Sequence, residues 1–206
     1  MATFFENGGM LMYPLLLCSI VSLTIIIERT LFWFSAGMKT NRKLIDQIFQ
    51  LTAAQDFEGV EKAARGSKSY VVRILLNGIV HRDHSPVKAM ELSVTDELMR
   101  MKQHMGILDT IITVAPLLGI LGTVTGIIDS FDMLGTSGID HPQAVTGGIA
   151  KALVTTASGL SIAIMTVFPY NYFHSRIERA VQIIEKYTTS FEIRNDIIQS
   201  TKDPSQ

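Results

Sequence analysis

The chain contains one cysteine in 206 residues, Cys18. An intrachain disulfide is therefore impossible, and no thiol pair exists for a redox or metal centre. It also lacks any excess of charge of one sign. The formal net charge is −1, which offers no basic surface for nucleic acid. Charge is missing altogether from three long stretches: Gly8–Ile27, Thr110–Ile128 and Ala152–Phe173. Within these stretches no His or Asp stands near Ser158 or Ser161, so a nucleophile has no base within reach and an intramembrane enzyme is excluded. Acids are absent from their interiors too. Asp109 and Asp129 stand only at the two ends of the second stretch, where water reaches them. Lysine and arginine are absent before Met10 and from Asp129 to His141.

What is present fits those gaps. The hydrophobic 47% of the residues is concentrated in the three uncharged blocks, with the charges between them. About 20 apolar residues at ~1.5 Å each cross the ~30 Å hydrocarbon layer. A signal peptide would need a basic stretch before the first block and a small-residue cleavage site after it. Instead "MATFFENGG" has no Lys or Arg, and Glu28-Arg29 runs into bulky "TLFWF", with Trp33 suited to a membrane interface. The reading is an all-α polytopic membrane protein with three transmembrane helices whose long helices extend into a cytoplasmic bundle. The segments are an external N-terminus (1–9), a first span (10–34), a cytoplasmic helical region (35–106), a second span (107–130), an external hairpin (131–142), a third span (143–173) and a cytoplasmic helix and tail (174–206). Pro142 suits the first turn of the third helix, where its missing N–H costs nothing. Orientation follows from the basic residues. Lys39, Arg42, Lys43, Lys62 and others crowd the long loop, and Arg176, Arg179 and Lys186 follow the third block. These stretches stay inside, which places the N-terminus and the short acidic hairpin outside.

The cytoplasmic sequence is patterned for helix. "NRKLIDQIFQLTAAQDFEGVEKAARG" reads as two short amphipathic helices with a break near Gly66. Ser85 and Pro86 mark a helix start, and the pattern then continues without an evident breaker into the second span. Ile177, Val181, Ile184, Tyr187 and Phe191 recur at three- and four-residue steps in the tail, a core-packing stripe. His81 and His84 in "HRDH" read as a solvated turn, not as metal ligands.

The second and third spans contain unusual residues for lipid. Pro116, Gly119, Thr123, Gly126 and Ser130 make a small, polar stripe on the second, and Ala152, Thr156, Gly159 and Ala163 make one on the third. Small residues let helix backbones approach, and hydroxyls bond across helices. Close packing alone accounts for such stripes. The added hydroxyls of Thr123, Thr155 and Thr156 also suit a narrow hydrated path. Lys151 is the one ionisable residue well inside an apolar block, about nine residues or ~14 Å from Pro142. A cation there requires a cavity, an anionic partner or an interface reached by snorkelling. At ~100° per residue it lies close to Thr155 but far round the helix from Thr156. With no acid at the midplane, proton transfer through this chain would need a carboxylate from another chain.

"APLLGILGTVTGII" followed by "GGIAKALVTTASGLSIAIMTVFPYN", with "IIIERTLFWF" leaving the first helix, resembles the MotA/TolQ/ExbB family of ion-driven stator subunits. The three spans and modest cytoplasmic loop are similar to the ExbB/TolQ branch. The resemblance implies a pentameric ring in the bacterial inner membrane, without cofactor. The ring would enclose the single helices of two ExbD- or TolR-like proteins, whose aspartate takes up and releases the ion. It implies pore threonines at Thr123 and Thr156 and work passed to a TonB- or TolA-like protein at the outer membrane. Where enterobacterial ExbB-type sequences carry Glu in "GIAEAL", this chain has Lys151. The transported ion, proton or sodium, and the energised system stay open, and a structural scaffold without ion conduction is the alternative.

Overall fold

The computed structural model describes residues 9–35, 42–81, 85–137 and 142–202. These residues form seven helices and, among the described residues, no strand: α1 (Met12–Ser35), α2 (Arg42–Ala53), α3 (Phe57–Ala64), α4 (Tyr70–Val80), α5 (Pro86–Lys102), α6 (Met105–Ser137) and α7 (Pro142–Lys202). Three helical stretches are long and apolar enough to cross a membrane, lying within 12–34, 86–135 and 146–194. The all-α, three-span architecture expected from the sequence is therefore the one found. The turn joining the second and third spans, and His84 of the "HRDH" motif, lie largely outside the described residues. The chain divides into two compact units, Met1–Arg29 with His104–Phe173, and Thr30–Gln103 with His174–Gln206.

The first unit contains most of the apolar length. Met12 and Leu15 of α1 pack with Ile111 and Ala115 of α6, and Cys18, Val21, Leu118 and Ile162 close around them. Many large apolar side chains remain exposed, Leu117, Ile120, Leu153, Met165 and Phe168 among them. On a water-soluble surface such a band would be an aggregation hazard; on spanning helices it meets lipid or neighbouring subunits.

Where α1 nears its end the unit buries a charge. Arg29 is 2% exposed and pairs with the neighbouring Glu28. Oε2 of Glu28 also meets Nδ1 of His104 at 2.9 Å. His104 corrects the sequence reading. The expected uninterrupted run from Pro86 into the second span is broken at Gln103–His104, and His104 adopts the left-handed conformation with φ 62°. Neither Gly nor Pro marks this break, which is why periodicity missed it. A left-handed non-glycine residue costs ~1–2 kcal/mol. A hydrogen bond to a charged group contributes up to ~1.5–3 kcal/mol, less where both partners are as exposed as these, so the Glu28 contact offsets part of the strain. The carbonyl of His104 then accepts from the N–H groups of Ile107 and Leu108, which starts α6.

The second unit is a helical bundle around α4. Val71, Val72, Ile74 and Leu75 are buried, together with Ile45 and Ile48 of α2, Val60 of α3 and Met90 of α5. The sequence reading did not single out α4, a short apolar run whose polar face is only Arg73 and Asn77, one turn apart. The α2–α3 pair is found as expected, split where Gln55 turns left-handed (φ 59°), and Gly66 (φ 83°) follows α3. Asp56 caps α3 by accepting from the Gly59 N–H at 2.9 Å. Ser85 occupies the cap position of α5 with Pro86 in the first turn, but its side chain makes no capping bond. Arg73 grips Glu97 with two 2.7 Å hydrogen bonds, which push the guanidinium's pKa further up and keep it charged. Ile177, Ile184 and Phe191 of the tail stripe are buried and Val181 and Tyr187 half-buried, with Tyr187 stacked on Phe49.

A glycine and threonine seam as the candidate functional site

α6 and α7 meet along a seam of small residues. The buried line on α6 runs Ala115, Gly119, Gly122 and Ser130, with Gly126 half-buried; that on α7 runs Ala152, Thr155, Gly159 and Ala163. Spacings of three and four keep each line on one face. The glycines are there for close approach. A Cβ on Gly119 would stand 3.0 Å from the Thr156 Cα, and one on Gly126 would stand 2.8 Å from the Ala152 Cβ. On Gly159 it would press into the backbone of Ala115, and on Gly122 into the side chain of Thr155.

Three members of the expected stripes move off the centre line. Thr123 is half-buried beside the seam, and Gly122 takes the central place. On α7 Thr155, 1% exposed, holds the centre and Thr156 sits half-buried at the edge. Pro116 is likewise half-buried next to fully buried Ala115. The cause is tertiary. Either of two adjacent residues satisfies a three-four repeat, and the packing partner selects one. The 4-3-4 spacing of Ala115, Gly119, Gly122 and Gly126 was the available signal for the true line.

The hydroxyls divide by what they reach. Thr125, Ser130, Ser158 and Ser161 donate to carbonyls one turn back in their own helices. Thr113 does the same toward the Asp109 carbonyl. Thr123 donates to the Ile120 carbonyl at 2.6 Å and Thr155 to the Lys151 carbonyl at 3.1 Å. Thr156 differs, because its hydroxyl crosses to the Gly119 carbonyl of α6 at 2.7 Å. Thr123 follows Gly119 by one turn, so Thr123 and Thr156 flank the same short stretch of α6. Asp109 is held by a hydrogen bond from the Tyr170 hydroxyl.

The seam has two distinct rims. Measured from Gly122, Thr123 lies ~100° to one side and Thr125 ~60° to the other. Measured from Thr155, Thr156 lies ~100° one way and Lys151 ~40° the other. Thr125, Asp129 and Lys151 line a cleft of about 760 Å³ beside the start of α1, which Thr123 and Thr156 do not line. Thr155 reaches that cleft from the seam. Lys151 is exposed and makes no ion pair among the described residues. No group of three metal-ligating side chains occurs among the described residues.

A helix hairpin zipped by glycine, with threonines at one rim and a cleft carrying Lys151 and Asp129 at the other, defines an integral membrane protein built for helix assembly. Residues 67–186 match the MotA/TolQ/ExbB proton channel family. The chain is 34% identical over 191 residues to the biopolymer transport protein ExbB-like 3 of Synechocystis sp., covering 90% of each chain. It is 37% identical over 174 residues to ExbB-like 1 of the same organism, covering 81% of this chain and 67% of that one. It is also 35% identical over 107 residues to the Tol-Pal system protein TolQ of Haemophilus influenzae, across 50% of this chain and 47% of that one. The chain belongs to the MotA/TolQ/ExbB proton channel family, and with its three apolar helices it is an inner-membrane protein.

Proposed function

We propose that this chain is the ring-forming subunit of an ion-driven motor of the ExbB/TolQ type. It would lie with its N-terminus outside and its C-terminus in the cytoplasm. It would surround an ExbD- or TolR-like single-span protein whose aspartate carries the ion, and transmit work to a TonB- or TolA-like protein. The observation that carries this reading is the pairing of Thr123 and Thr156 on one rim around Gly119, on helices zipped tightly enough to act as a rigid wall. Family relatives named for biopolymer transport and for the Tol-Pal system support the same class.

The geometry refines what these hydroxyls do. Thr156 already donates its proton to the Gly119 carbonyl and Thr123 to the Ile120 carbonyl. A hydroxyl oxygen that has donated still offers two lone pairs. Each threonine can therefore accept from water, hydronium or a protonated partner carboxyl while its own proton stays engaged. The ion path then favours the loaded, protonated partner at this rim, while Thr155, buried at the seam centre, backs the wall from behind.

The scaffold reading draws on the same bonds, since both hydroxyls have backbone partners. The discriminating experiment is co-purification with the single-span, aspartate-bearing partner, followed by proton flux in proteoliposomes. Flux that needs both chains supports the motor. A tight complex with no flux under an imposed gradient supports the scaffold.

A further inference from the structure

The cleft on the second rim calls for an occupant. Its walls include Met10 and Leu11 at the start of α1 and Leu121 and Met133 of α6, and its polar groups include Lys151 and Asp129. From Leu121 to Met133 it climbs twelve residues of α6, ~18 Å, slightly more than half of a ~30 Å hydrocarbon layer. Among the described residues, the cleft lies along α6 beyond the first turn of α1. Met12 and Leu15 already pack at the level of Ala115 and Leu118, while α6 runs on to Ser137. A space one leaflet tall, walled by apolar side chains on spanning helices, is shaped for one lipid.

The charges select which lipid. Ala152 packs toward Gly126, and Ser130 packs toward Gly148, so the preceding residues Lys151 and Asp129 stand within about one turn of each other along the cleft. Lys151 reaches toward phosphate as a snorkelling ammonium. Asp129 repels a purely anionic headgroup and accepts hydrogen bonds from a primary ammonium. We propose that this cleft binds a zwitterionic phospholipid with a primary-ammonium headgroup, a phosphatidylethanolamine, with its phosphate on Lys151 and its ammonium on Asp129. The acyl chains lie over Met10, Leu11 and Leu121. This gives the intramembrane lysine an anionic partner away from the Thr123 and Thr156 rim, and it does not depend on ion conduction.

The test is native mass spectrometry of the assembled protein released from nanodiscs of phosphatidylethanolamine, phosphatidylcholine and phosphatidylglycerol in equal parts. The wild type is expected to retain phosphatidylethanolamine well above its share. Lys151→Met should lower that retention roughly tenfold, as loss of a charge-assisted contact predicts. Asp129→Asn should shift the preference toward phosphatidylglycerol while the assembled mass stays unchanged. Wild-type retention in the bulk ratio overturns the proposal without any variant. So does a retention pattern unchanged in both variants, or a cleft shown by crosslinking from Thr125→Cys to be filled by a second copy of the chain.

Discussion

Replacing Thr156 by valine keeps the branched shape and deletes one hydroxyl. Two consequences can be separated by size. The first is loss of the 2.7 Å bond to the Gly119 carbonyl. Interhelical hydrogen bonds inside membranes average ~0.6 kcal/mol and reach ~1.7. The Gly119 carbonyl lies inside α6, where the intrahelical ladder still pairs it, so no orphan acceptor results. The pair equilibrium therefore shifts by roughly threefold on average, too little to dismantle a seam held by four close glycine contacts. The second is loss of the lone pairs that would receive a protonated partner or hydronium, which takes away a step and not a fraction of stability. The expected outcome is a complex of unchanged mass by native mass spectrometry whose proton flux in proteoliposomes falls at least tenfold. Thr156→Ser, which restores the hydroxyl, should recover most of that flux. Thr113→Val, whose hydroxyl bonds only within its own turn, should stay near wild type. Full flux from an assembled Thr156→Val complex would refute the reasoning and leave Thr156 a packing residue.

Gly126→Leu should force the helices apart at Ala152, costing ~1–3 kcal/mol or more, and should lower the thermal stability of the purified complex while Gly135→Leu, with open space around it, leaves it unchanged. His104→Gly should preserve the helix break and stay within ~1 kcal/mol of wild type, whereas His104→Val, which keeps the left-handed strain without the Glu28 hydrogen bond that offsets part of it, should lose ~1–2 kcal/mol, both read by denaturant titration in micelles. Glu97→Gln should lower the melting temperature of the cytoplasmic unit, because Arg73 loses a charged partner held by two hydrogen bonds; no shift would mean the pair is fully offset by desolvation. Cysteines placed at Ser67 and Ser137 should react with an impermeant thiol reagent from opposite sides of the membrane, Ser137 from outside, and labelling of both from one side would overturn the three-span arrangement.

Much of this protein follows from the order of its residues. Uncharged runs of the right length demand spanning helices, because no other open chain satisfies its backbone in lipid. The bias of Lys and Arg toward two segments carries the orientation expected of it. The Gly and Thr content of the second and third blocks announces a helix interface, and "GILGTVTG" with "VTTASG" carries the family resemblance. Periodicity has a limited angular resolution, however. Adjacent positions such as Gly122 and Thr123, or Thr155 and Thr156, fit a three-four repeat about equally well, and only the facing backbone decided which became the seam. The angular separation of Lys151 from Thr156 was legible from helix geometry, but only packing set Lys151 beside Asp129 in a cleft at the start of α1. The break at His104 is of the same kind: no local breaker stands there, and a carboxylate 76 residues away in sequence supplies the hydrogen bond that offsets part of its strain. Local chemistry determines which segments are helices and which faces are small or polar; register, rim and kink depend on contacts between residues far apart in the chain, and these exist only once the helices have packed.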